Sequence, residues 1–89
     1  MTNGSPRLTP EAALGWLRSL SVDIRAAAVL DAAGAVLAGD RTLAGAAPGR
    51  RVVVARSDRY AIVVRHGRRA MDGLLRADMD AALGALEAV

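Results

Sequence analysis

The sequence predicts a single α+β domain, built in the order helix, hairpin, linker, hairpin, helix. Three observations carry this. The chain has 89 residues, which is one domain's length. Apolar residues recur at helical spacing near both ends. Between them lie four short apolar or β-branched runs, joined in pairs by turn residues.

The elements follow in order. Residues 1–8 read as a disordered tail, because Asn3, Gly4, Ser5 and Pro6 break any periodicity. No apolar signal-peptide core is seen there. Thr9 can cap a helix, Pro10 suits its first position, and Glu11 suits its positive end. Ala13, Leu14, Trp16, Leu17 and Leu20 then recur at helical spacing, so a helix is expected over 10–20.

Strands are expected over 24–30 and 35–38, joined by Asp31-Ala32-Ala33-Gly34. Asp31 can bond the backbone two residues on, and Gly34 supplies the left-handed closing residue. Residues 41–49 are too short and Gly-rich for a stable helix and read as a linker, with room for one helical turn.

A second hairpin is expected from 51–56 and 60–65, turning at Ser57-Asp58-Arg59. A last helix is expected over about 69–88, with Met71, Leu74, Leu75, Met79, Ala82, Leu83 and Leu86 as its stripe. The expected sheet is four-stranded and mainly antiparallel, in the order 2-1-4-3, with both helices on one face. The other face, or an edge strand, is then free for a partner.

Composition narrows the function classes. There is no Cys, no Phe, one Trp and one Tyr. A small domain with an Ala-rich core lacks the aromatics that bury most area, and it has no disulfides to compensate. Self-association is the remaining supplement. Zero Cys fits a reducing, cytoplasmic setting. No run nears the roughly 18 apolar residues of a membrane span.

No catalytic constellation, cofactor loop or metal set is legible. His66 is the one imidazole, and it reads as a solvent-facing residue after a strand. The serines and Asp31 and Asp40 sit where turns and helix ends use them. The expectation is a protein without enzymatic activity, cofactor or metal.

Docking residues are the alternative. Val52 and Val54 share one strand face, Tyr60, Ile62 and Val64 one face of the next strand, and Val53 and Val63 lie opposite. A sheet apolar on both sides needs two covers. Val53, Ile62, Val63 and Trp16 are therefore the candidate interface residues. All 12 basic residues are Arg, and many gather on the second hairpin. Arg51, Arg56, Arg59, Arg65 and Arg69 form a possible docking patch, read either as edge-strand protection or as a seat for an acidic partner. A net charge of +3 and the scarcity of aromatics to stack bases disfavour nucleic acid.

The opening helix Glu11-Ala-Ala-Leu-Gly-Trp-Leu-Arg18, followed by the run from Asp23 to Ala38 with its Asp-x-x-Gly turn, resembles the start of roadblock/dynein-light-chain-type domains. The second hairpin and closing helix match in order, so the resemblance covers about 10–89. It departs where residues 41–49 replace that family's middle helix, which commonly contributes to its dimer interface. The resemblance implies a homodimeric scaffold that, in prokaryotes, often regulates a small Ras-like GTPase. No residue-level motif for GTPase contact is matched. The alternatives are a truncated PAS/GAF-like sensory module and a small Arg-rich nucleic-acid-binding protein.

Overall fold

The computed structural model describes residues 8–87. It contains helix α1 (Pro10–Leu20), strands β1 (Ile24–Asp31) and β2 (Val36–Gly39), and a short 3₁₀ turn (Arg41–Leu43). Strands β3 (Val52–Arg56) and β4 (Tyr60–His66) and helix α2 (Asp72–Glu87) complete it. The sheet runs β2-β1-β4-β3, with every neighbouring pair antiparallel. The α+β architecture and strand order are those the sequence predicts.

Local chemistry accounts for the element boundaries. Thr9 is extended, and its Oγ1 accepts the Ala12 N–H at 3.1 Å, which starts α1. Asp31 Oδ1 accepts the N–H groups of Ala33 and Ala35, both at 2.9 Å, while Gly34 sits at φ +91°. Residues 1–7 of the predicted tail lie outside the described residues. Leu8, the last residue of that tail, is ordered against the core, and its N–H donates to Ala85 O at 3.3 Å.

Helix α2 starts at Asp72 rather than near Arg69. The reason is tertiary: the Arg69 N–H donates to the Asp23 carboxylate at 2.9 Å, which holds the preceding residues in a turn. The predicted end at Ala88 lies outside the described residues.

The helices are antiparallel. Leu8, before α1, bonds Ala85 late in α2, and Ser21, after α1, donates its hydroxyl to Asp78 Oδ2 at 2.8 Å. Both cover one sheet face. Ala13, Leu14 and Leu17 of α1 and Leu75, Met79, Ala82, Leu83 and Leu86 of α2 pack there with Ala27, Val29, Val53, Ala55, Ile62 and Val64. Strand alternation sends these sheet residues to the same side.

The second face is not free. Ala26, Ala28, Leu30, Ala61 and Val63 are buried in a cluster with Leu43, and Ala46 packs on its margin. The linker is therefore a cover. The alanines of β1 leave depth for Leu43, which is only 5% exposed. Asp40 caps the 3₁₀ turn that aims it, accepting from Thr42 N–H at 2.9 Å and Thr42 Oγ1 at 2.6 Å.

The outer edge of β3 is blunted. Val52 exchanges both outward backbone bonds with Gly49, at 3.0 and 3.3 Å, and Arg76 reaches from α2 to the Val54 carbonyl at 3.4 Å. The opposite edge, β2, has only four residues.

Candidate functional site

His66 departs from expectation. It is 6% exposed, because β4 continues to residue 66 and alternation puts it on the helix-covered side with Ile62 and Val64. Its Nδ1 lies 2.9 Å from Gly67 O, to which it can only donate. Nε2 is 3.3 Å from Asp72 Oδ1, within ion-pair range, yet it has no aligned hydrogen-bond partner. No hydroxyl bonds either nitrogen. Among the described residues, no three His, Asp or Glu side chains converge to hold a metal ion.

The predicted interface residues divide. Val53 and Ile62 are 5% and 0% exposed and lie beneath the helices, so they meet no partner. Alternation had left open which face the helices would take. Val63 lies on the other face, buried in the cluster with Leu43. Trp16 stands apart from all three at 37% exposure, on the outer side of α1.

Trp16 belongs to an apolar patch that its own position did not foretell. Leu20, Val22, Met71 and Leu74 are 51%, 60%, 64% and 63% exposed. Leu20 and Val22 lie at the end of α1 and Met71 and Leu74 at the start of α2, which the antiparallel packing brings together. With Ser21, Ala70, Leu75 and Asp78 these four line an open groove of about 390 Å³. Trp16 is one helical turn from Leu20 on the same side of α1.

The predicted Arg patch is dispersed. Arg59 is engaged at the β3–β4 turn, where its Nε donates to Glu87 Oε1 at 2.9 Å and its guanidinium sits 5.8 Å from the Tyr60 ring centre. Glu87 also accepts from Ser57 Oγ at 2.6 Å and Arg59 N–H at 3.1 Å. The Ser57 hydroxyl and then Arg59 hold the Glu87 carboxyl below the usual range. Arg56 and Arg65 pair in register with Ala61 and with Ala26 and Val52, on the linker-covered face. Arg65 also adds a smaller share to the lowering of the Asp40 carboxyl, after its two bonds from Thr42.

Arg51 and Arg69 come together elsewhere, in a cleft of about 470 Å³ lined also by Asp23, Arg25 and Arg68. Asp23 is its keystone. It sits at φ +61°, its carbonyl accepts Gly67 N–H at 2.9 Å, and its Oδ1 accepts Arg25 Nε at 2.9 Å. Its Oδ2 accepts the Arg69 N–H. That backbone bond first, and then Arg25, hold the carboxyl below its ordinary value against partial burial. Sequence reasoning missed Asp23 and Arg25. The visible signal was an Asp between two apolar residues, a type enriched in left-handed conformations.

No known protein family matches this chain, and no curated protein or solved structure is significantly similar to it. No helix among the described residues is long and apolar enough to cross a membrane.

Proposed function

We propose that this chain is a non-enzymatic, cytoplasmic docking protein that acts as a homodimeric adaptor, in the manner of the roadblock-type regulators of small Ras-like GTPases that it resembles. The observation that carries the reading is the apolar patch of Trp16, Leu20, Val22, Met71 and Leu74. From their exposures, these five side chains present roughly 500 Å² of apolar surface, within the range of functional patches. A stable interface takes about 800 Å² from each partner, and about 65% of a homodimer's is apolar, which calls for roughly 520 Å².

The other candidate surfaces support the same choice by elimination. The centre of the second sheet face is under Leu43, the β3 edge is occupied by Gly49 and Arg76, and the β2 edge has only four residues. Two copies meeting through α1 and α2 would form a four-helix layer, an arrangement that buries such stripes without new backbone pairing.

Sedimentation velocity across micromolar concentrations tests the dimer. The wild type is expected to run as a dimer, with Trp16 emission shifting to the blue as the dimer forms. Leu74→Glu, at a largely exposed position, is expected to weaken association at least tenfold while leaving the thermal transition of the monomer in place. A strict monomer would overturn the homodimer. The regulatory part is tested by nucleotide hydrolysis of a small Ras-like GTPase with and without the protein; an unchanged rate and no binding would refute it.

A further inference from the structure

We propose that the cleft of Arg25, Arg51, Arg68 and Arg69 is a binding site for an acidic segment of a partner protein, a run of two or three neighbouring Asp or Glu side chains. The inference rests on the docking role proposed above and names the chemistry of what docks.

Four arginines from three separate stretches of chain line one concavity, together with Asp23. That carboxylate is already committed. Asp23 spends Oδ1 on Arg25 and Oδ2 on the Arg69 backbone. A Cβ at residue 67 would collide with its Oδ2, so the carboxylate occupies the space that Gly67 leaves open. Arg51, Arg68 and Arg69 make no side-chain ion pair among the described residues. Like charges gathered this way repel one another, and a ligand with about three negative charges removes the repulsion. Guanidinium forks match carboxylates in a bidentate way.

The occupant follows from three features. The cleft has room for several anionic groups, more than one inorganic phosphate fills. Among the described residues, Arg56 and Arg65 lie on the other sheet face and Arg59 is engaged by Glu87, so these three do not extend the cleft into a basic track for a nucleic-acid backbone. No aromatic side chain lines it for base stacking. A second copy of this chain offers no contiguous acidic run, since no two of its nine acidic residues are adjacent in sequence.

The test is isothermal titration of the full chain with a hexaglutamate peptide at low ionic strength. Binding is expected to weaken steeply as salt rises from roughly 20 to 200 mM. Arg51→Ala/Arg69→Ala is expected to weaken it at least tenfold. Arg56→Ala/Arg65→Ala removes the same charge from the other face and is expected to change it less than twofold. Equal losses in both variants would mean general attraction to a basic protein and would overturn the site, as would no binding to the wild type. Tighter binding of inorganic phosphate or an oligothymidylate, lost in Arg51→Ala/Arg69→Ala, would overturn the acidic-peptide assignment. Sedimentation keeps the two proposals apart: a monomeric wild type that still binds hexaglutamate through Arg51 and Arg69 refutes the dimer and not the cleft.

Discussion

Replacing Leu43 with Ala tests whether the linker is structural. Leu43 is 5% exposed and is the one large side chain that residues 41–49 contribute to the second sheet face. The substitution removes three carbons from contact with a cluster that includes Ala28, Leu30 and Val63. Transfer alone accounts for about 2.4 kcal/mol, at about 0.8 kcal/mol per buried methylene. A residual cavity raises Leu→Ala losses toward about 5 kcal/mol where the site is rigid. Here the site is a short 3₁₀ turn followed by Gly45, which can settle inward, so the expected loss is about 2–3 kcal/mol.

In a domain of this size about 1 kcal/mol moves the midpoint by roughly 4–8 °C, so a fall on the order of 10–20 °C is expected. Urea unfolding followed by far-ultraviolet circular dichroism, with the m-value compared to wild type, gives the free energy directly. Leu37→Ala serves as the control, since Leu37 is 40% exposed on the edge strand. A loss below about 0.5 kcal/mol at Leu43, typical of surface sites, would refute the reasoning and return the second face to the list of open docking surfaces.

Two further outcomes are expected. Gly39→Ala should be far more damaging than Gly34→Ala. Both glycines have positive φ, but a Cβ at residue 39 would collide with the Ala27 carbonyl oxygen, while residue 34 faces open space. About 1–2 kcal/mol is expected at Gly34 from backbone strain alone, and more than about 3 kcal/mol at Gly39, read from paired thermal melts. Stability should also fall on the acid side. The carboxyls of Asp23, Asp40 and Glu87 are lowered in the folded chain, so the unfolded chain binds protons more readily. Their contribution is complete above the ordinary values of 3.8 for Asp and 4.5 for Glu, and it is lost as pH falls below them through the folded values. Unfolding titrations between roughly pH 2 and 7 should show Glu87→Gln with a shallower acid limb than wild type; an identical limb would refute the Ser57 and Arg59 assignment.

What the sequence determined by itself was local. Thr9 with Pro10, and Asp31 with Gly34, act through bonds spanning two to four residues, so helix start and hairpin turn were legible from neighbours alone. Apolar alternation also showed that β3 and β4 would be buried on both sides. It did not show which side the helices would take, since one face offers Val53, Ile62 and Val64 and the other Val52, Val54 and Val63. That choice, made by packing across the whole chain, removed Val53 and Ile62 from the docking surface and buried His66.

Only the tertiary structure assembled the two candidate sites. The patch needs the end of α1 beside the start of α2, some 50 residues later in the chain. The cleft needs Asp23 to bind the backbone of Gly67 and Arg69, a contact with no counterpart in sequence spacing. The physical reason is the same in both. Turns and caps are satisfied by adjacent backbone groups, whereas a docking surface is whatever apolar and charged area the distant contacts leave uncovered.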